Sequence, residues 1–449
     1  MPVSKFSLVS LLLLTSSASA GGLTLPTHGV RSLERGGALI AGADDADSLW
    51  LNPAGLGHLA GTKKQALLFD VAVLYQTVEY TRLDVNNGGA PFPQISNQQP
   101  GTLAPSLAGA LGVGDKLVIA GGLSFPHQAF SRYAAGGVQR YAAVGLDGSR
   151  YVVVTAGVGY RVSDQLRVGA ALSNFVTFTR LAIVASGCPQ AMSCAPEEPG
   201  FDLGLSLEQT DAISPSGSVG VQYDATPALT LGLALDTPRT IAATGKLTLD
   251  LPGALPFEDA TVSGDRASLE VTYPAAIRAG VEWRPIKALR IEAALDVELW
   301  SMHDEITLTP DGIVIDNVGG ASFTLQPMTI PRDYKTTFAP ALGVEWHGPK
   351  VMVGAGYSYE TAAAPTKTVS VLAIDSAKHL IGIGGGYEDG GWQIGAAAGL
   401  VALAGVNVSL AGAGVPQLSP LGNPDVTNVN AGSYRSRYLM AGLRFARRW

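Results

Sequence analysis

From about residue 66 onward, the chain reads as period-two segments joined by connections that alternate between long and short. Fourteen segments read as strands: about 66–82, 102–113, 116–126, 149–162, 165–183, 201–224, 228–247, 268–284, 287–309, 335–347, 350–362, 377–388, 391–409 and 433–446. From Leu289 to Leu299 every odd position is apolar, while even positions carry Arg290, Glu292, Ala294, Asp296 and Glu298. In a strand these two sets fall on opposite faces. The stretches Leu269 to Tyr273, Ile277 to Trp283 and Leu439 to Phe445 repeat the pattern. The short connections hold two or three residues and are tight-turn pairs such as Gly114-Asp115, Ser163-Asp164, Pro285-Ile286, Gly348-Pro349 and Asp389-Gly390. The long ones run from 14 to 25 residues and are rich in Pro, Gly, Asn and Thr. A soluble sandwich has no reason to gather every long loop at one end. An outer-membrane barrel does, with an even number of antiparallel strands and short turns on one side. The expected fold is therefore all-β: a transmembrane antiparallel barrel of about fourteen strands, over residues 62–449.

Composition narrows the alternatives. Charged residues make up 15% of the chain, against about 25% in ordinary soluble proteins, and mean hydropathy is +0.22. Yet no run of roughly 18 apolar residues follows Leu14, so an α-helical membrane protein is excluded. Acidic residues outnumber basic ones, 37 to 30, and no basic cluster is present, so nucleic acid is not an expected partner. Lys5, the apolar stretch Phe6 to Leu14 and Ala18-Ser19-Ala20 read as a removable secretory signal over residues 1–20,. In an exported chain Cys188 and Cys194 are expected to form a disulfide in the loop after the fifth strand. No histidine lies near them, so no metal site is expected.

Tyr75, Tyr160, Tyr223, Trp283, Trp346, Tyr387 and Trp392 fall where an interfacial aromatic girdle would need them,, although strands favour aromatics in any case. The chain ends on Trp449, in phase with Phe445, Leu443 and Ala441, and Arg447 interrupts that apolar face. Such an aromatic end resembles the signal read by the outer-membrane assembly machinery, which becomes an expected partner. Residues 21–61 carry no strand pattern. They are too few for a core of their own, but they could fill the lumen of a barrel too wide for side chains alone.

In this N-terminal segment Gly21-Gly22-Leu23-Thr24-Leu25, Gly37-Ala38, Ala43-Asp44-Asp45-Ala46 and Asn52-Pro53-Ala54-Gly55-Leu56 resemble the opening of the FadL family. Tyr273-Pro274, Trp300-Ser301, Asp333-Tyr334 and Gly356-Tyr357-Ser358-Tyr359-Glu360 followed by Pro365 extend the resemblance over nearly the whole chain. That family takes long-chain fatty acids and hydrocarbons such as toluene across the outer membrane of Gram-negative bacteria. The resemblance implies a hatch over residues 21–61 that plugs the barrel, with Asn52, Pro53 and Ala54 in its turn. It also implies a ligand pocket near Gly21, Gly22 and Leu23, and a sideways exit into outer-membrane lipid at a kink in the third strand. That strand ends Gly121-Gly122-Leu123-Ser124-Phe125-Pro126-His127. Proline cannot donate to the ladder, so Pro126 either marks the lateral gate or simply begins the loop.

The inward face should be mostly Ala, Gly, Thr and Ser, with Glu270, Arg278, Glu282, Arg290, Glu292, Asp296 and Glu298 among them. These charges would pair with each other or with the hatch, or else Arg278 or Arg290 would bind a carboxylate. Gly157-Val158-Gly159 and Gly354-Ala355-Gly356 lie in strands and read as small interior residues beside close-packed backbone. There is no GxSxG, HExxH, complete GxGxxG or P-loop,, so neither an enzyme nor a cofactor is expected. The expected function is passive uptake of long-chain fatty acids or similar hydrophobic small molecules. A general polar porin and a surface-binding adhesion barrel are the alternatives.

Overall fold

A computed structural model describes residues 27–61, 64–99, 101–126 and 130–449. Residues 1–20, Gly21, Gly22, Leu23 and His127 lie outside the described residues. The barrel strands are β1 (Gln65–Arg82), β2 (Thr102–Val113), β3 (Leu117–Ser124), β4 (Arg150–Arg161), β5 (Leu166–Ser186) and β6 (Asp202–Thr226). Four interrupted strands follow: β7 (Leu229–Asp236, Arg239–Asp250), β8 (Arg266–Tyr273, Ala276–Ile286), β9 (Leu289–Glu298, Glu305–Asp311) and β10 (Met328–Pro331, Thr337–His347). The last are β11 (Val351–Glu360), β12 (Lys378–Asp389), β13 (Trp392–Leu403) and β14 (Gly432–Arg448). Each pairs antiparallel with its neighbours in sequence, and β14 pairs with β1 from Ala66↔Arg448 to Arg82↔Gly432, closing a fourteen-stranded barrel. Closure leaves no free edge. The ends of the expected strand segments move by a few residues, and the expected ninth segment is broken by a short 3-10 turn, Trp300–Met302.

The strands obey period two throughout, but on β6 to β8 the side that is apolar changes part-way along. Near the short turns the apolar set faces out: Val219, Val221 and Tyr223 on β6, and Leu231, Leu233 and Leu235 on β7, are exposed. Nearer the long loops it faces in: Leu203, Leu205 and Leu207, and Ile241 and Leu247, are buried. The inversion needs an irregularity, because a one-residue slip turns every side chain over. On β6 it is a bulge, where Phe175 and Thr177 of β5 pair with Ser214 and Asp211. On β7 it is Thr237-Pro238, and on β8 it is Pro274, between Tyr273 and Ala276. The physical cause is the surroundings. In the bilayer the outer face meets lipid; beyond it the outer face meets water and the inner face meets a loop core. Glu270 therefore points outward, contrary to its expected lumenal position, while Leu269 beside it is buried.

The girdle aromatics Tyr160, Tyr223, Trp283, Trp346, Tyr387 and Trp392 are all exposed on the outer face near the short turns. Tyr75 is also outward but sits mid-strand, opposite Leu439. Arg447 lies between the rings of Trp392 and Trp449, at 4.4 and 4.6 Å from their centroids. Its charge thus sits on aromatic faces.

Candidate functional site: an ion-paired segment in the lumen and a cleft at the end of β3

Residues 27–61 fold inside the barrel as a short helix α1 (Gly29–Glu34), a turn-rich stretch, a second helix α2 (Ser48–Leu51) and a 3-10 segment (Pro53–Leu59). Almost all of it is buried. It approaches the wall where strands present glycine inward. A Cβ on Gly157 would lie 2.6 Å from Leu49, one on Gly232 2.7 Å from the Ala41 Cα, and one on Gly442 2.8 Å from Val30. Gly159 and Gly356 leave the same clearance for Leu56 and Arg35, and Gly354 for the Glu34 side chain. Much of the chain's glycine therefore serves close backbone approach in the lumen.

Ion pairs hold this segment to two sectors of the wall. The buried Arg35 guanidinium reaches Glu282 on β8, Glu292 on β9 and Glu345 on β10, at 3.1, 3.0 and 3.0 Å. Arg31 bonds both oxygens of Glu345 at 3.0 Å and Asp44 at 2.6 Å. Arg290 on β9 closes the circuit to Asp44 at 2.7 Å and to Glu282 at 3.0 Å. Glu292 also accepts the backbone N–H groups of Ile40, Ala41 and Gly42. In the second sector Arg444 on β14 binds Asp45, Asp47 and Asp70 at 2.9, 3.0 and 3.2 Å. Burial works against the charged Asp44 carboxylate, but Arg290 and Arg31 hold its carboxyl well below the usual range. Glu34 differs: burial, then Glu345, push its carboxyl up to about 7. Asn52 ties the turn together, donating to Ile40 O at 3.1 Å and Val221 O at 3.2 Å and accepting from Ala54 N at 3.2 Å. Pro53 begins the 3-10 segment, where its missing N–H is not needed,.

A cavity of about 170 Å³ lies beside this segment, lined by Thr27, His28, Trp50, Arg278, Asp296 and Glu298 among others. Arg278 pairs with Asp236 and donates to the Trp50 carbonyl at 3.0 Å. Nearer the long loops the interior is filled by an apolar cluster of the upper strand segments and the loops over them. Three polar residues stand beside one another in it. Arg332 is 1% exposed and its guanidinium lies 5.9 Å from the centre of the Tyr334 ring, with no carboxylate paired to it among the described residues. The His303 ring lies 5.0 Å from that of Tyr334. Burial, then the Arg332 charge, lower the His303 pKa to about 3, so its ring is neutral. Trp300, fully buried, packs against both rings.

The ladder of β3 ends before those of its neighbours. Ser124 pairs with Ser106 and Val153 and is the last residue of the strand, while β2 and β4 continue past it. Phe125 N still reaches Pro105 O at 3.0 Å, and Pro126 then has no N–H to offer. A cleft of about 470 Å³ results, lined by Thr102, Phe125, Pro126, Phe130, Arg150 and Tyr151 among others.

Residues 11–408 match the family model described as outer membrane protein transport protein (OMPP1/FadL/TodX). The chain belongs to this family. The structure is similar to a FadL homologue of Pseudomonas aeruginosa (17% identity, 95% of this chain and 99% of that one, TM-score 0.75). It is also similar to the toluene transporters TbuX of Ralstonia pickettii (17%, 95% and 99%, TM-score 0.61) and TodX of Pseudomonas putida (14%, 95% and 98%, TM-score 0.62). No curated protein sequence matches it. As a member of the FadL/TodX family the protein is a transport channel of the Gram-negative outer membrane and not an enzyme. Its long loops face the outside and its tight turns the periplasm.

Of the charges singled out in the sequence, Glu282, Arg290 and Glu292 belong to the ion-pair network around residues 27–61. Arg278, Asp296 and Glu298 border the cavity. Arg290 is thus committed to carboxylates of the protein itself. Cys188 and Cys194 are disulfide-bonded in the outer loop after β5, and Asn423 of the last loop donates to the carbonyls of Pro189 and Met192 at 3.0 and 2.9 Å. Arg332 and Trp50 carried no signal in the sequence. Each lies within two residues of a motif that did: Asp333-Tyr334 and Asn52-Pro53.

Proposed function

We propose that this FadL/TodX-type channel passively takes up hydrophobic organic acids, long-chain fatty acids foremost, with Arg332 receiving the carboxylate. The observation that carries this reading is a buried guanidinium with no carboxylate paired to it in apolar surroundings. An uncompensated buried charge is expensive, and a carboxylate would satisfy it through charge-assisted, bidentate hydrogen bonds. Each CH₂ of the tail gains about 0.8 kcal/mol in apolar surroundings, which a polar porin could not offer. Toluene, carried by the relatives TbuX and TodX, would leave the guanidinium bare.

The same reading makes residues 1–20 the export signal and 21–61 the hatch that plugs the lumen. It puts Gly21, Gly22 and Leu23 near the cavity that Thr27 and His28 line. The ligand then leaves sideways into outer-membrane lipid through the cleft at Pro126. Labelled oleate uptake, in Gram-negative cells lacking their own fatty-acid transporter, tests the proposal. Arg332→Met should lower oleate uptake roughly ten- to a hundredfold, from about 1.5–3 kcal/mol for a hydrogen bond to a charged group, and leave toluene uptake unchanged. Equal loss of both, or of neither, would remove the carboxylate from the account.

A further inference from the structure

The cavity beside residues 27–61 and the cleft at the end of β3 have no lining residue in common. Trp50 lines the cavity and reaches toward β3, whose end borders the cleft. Its indole borders the cavity, most of whose barrel residues come from β7 to β11. On the far side Nε1 donates to Thr155 Oγ1 of β4 at 3.1 Å, and Thr155 is itself bonded to Ser173 Oγ of β5 at 2.8 Å. The Trp50 carbonyl is held from the opposite sector by Arg278 of β8. The residue thus spans the lumen between β8 and β4. The His28 ring stacks on the indole, centroids 4.5 Å apart and planes 28° from parallel. The outer edge of the indole lies on β3: a Cβ on Gly122 would stand 2.6 Å from Cζ2. Gly122 is two residues before Ser124, where the cleft begins.

We propose that Trp50 is the inner gate of the lateral exit and a determinant of what passes. Its indole, steadied by Thr155 and stacked on His28, closes the way from the cavity to the cleft. The bare backbone of Gly122 is the seat on which it closes. A ligand leaves when the indole turns off that seat, which takes one hydrogen bond and one stacking contact. Both are weak contacts, so the gate opens thermally. The inference rests on the lateral-exit reading above.

Two substitutions separate the gate from the exit. Trp50→Ala should raise oleate uptake roughly tenfold, equivalent to about 1.4 kcal/mol off the barrier, and admit bulkier acids. Thr155→Val, which keeps the indole and removes its hydrogen bond, should give a smaller rise in the same direction and guards against misfolding of the first variant. Thr102→Trp, which fills the cleft, should cancel the rise when combined with Trp50→Ala. Insertion is checked by heat-modifiable gel mobility. Unchanged uptake in correctly inserted Trp50→Ala and Thr155→Val overturns the gate; if Thr102→Trp alone still blocks uptake, the exit survives without it. A rise that Thr102→Trp does not cancel overturns both, because the indole would then be guarding another route.

Discussion

The periplasmic and outer halves of the lumen are filled by opposite means. Around residues 27–61 the filling is charged and glycine-lined: Arg31, Arg35, Arg290 and Arg444 are matched by carboxylates within 3.2 Å, and the wall recedes to bare backbone. Under the outer loops the filling is apolar, with Trp300, Tyr334, Leu205 and Ile330 in one buried cluster. The first resembles a lock, directional and dependent on exact partners. The second resembles the core of a soluble domain, non-directional and set by area. A transported molecule with an apolar tail gains in the second and not in the first. That asymmetry suits capture from outside and leaves the periplasmic side sealed.

The sharpest way to break the comparison is to remove one key from the lock. Arg35→Ala takes from Glu292 its guanidinium partner and leaves Glu282 to Arg290 and Glu345 to Arg31, and breaking a buried pair costs about 3–5 kcal/mol. Residues 27–61 should leave their seat, and open-channel conductance should appear in planar bilayers from a barrel that remains folded. A variant that stays closed would mean the ion pairs do not hold the hatch.

A second test addresses the boundary between the halves on one strand. Leu233 and Thr244 both face outward on β7, on either side of Thr237-Pro238. Leu233→Arg should destabilise the inserted barrel by about 2–4 kcal/mol, the value for arginine on a lipid face at the midplane. Thr244→Arg, facing water, should change stability by less than about 0.5 kcal/mol. Urea unfolding from liposomes measures both, and equal losses would place the two positions in the same medium.

The smallest expected effect is a pH dependence within the lock. Burial raises the Glu34 carboxyl from its ordinary 4.5 to about 7. A raised carboxyl pKa makes the folded state hold its proton longer than the unfolded state does. Glu34 therefore favours the seated segment most below pH 4.5, and that contribution is lost as pH rises through about 7. Protection against hydrogen exchange over residues 29–59, measured relative to the intrinsic rate at each pH, should fall across this window and become flat in Glu34→Gln. An unchanged slope in the variant would assign the dependence to another group.

Much of the barrel was legible because strand signals are local. Leu289 to Leu299 shows its two faces in eleven residues, and Gly348-Pro349 shows its turn in two. Glu270 was misread for a physical reason: its alternation is as regular as that of β9, but Pro274 moves its segment out of the bilayer and exchanges inside for outside. The Asp44-Asp45-Ala46-Asp47 run was visible as a cluster, yet its partner Arg444 is about 400 residues away, and nothing local joins them.

By itself the sequence determined the number of strands, their order, which end carries the loops and which face meets lipid in the bilayer, because side-chain period and turn chemistry act over a few residues. Only the tertiary structure decided which charges meet and which is left over. Closing β14 onto β1 brings Arg444 to Asp70 and encloses residues 27–61 among Glu282, Glu292 and Glu345, while Arg332 is buried beside Tyr334 in an apolar cluster with no carboxylate bonded to it. A long-range electrostatic match depends on distances that exist only once the ring is closed.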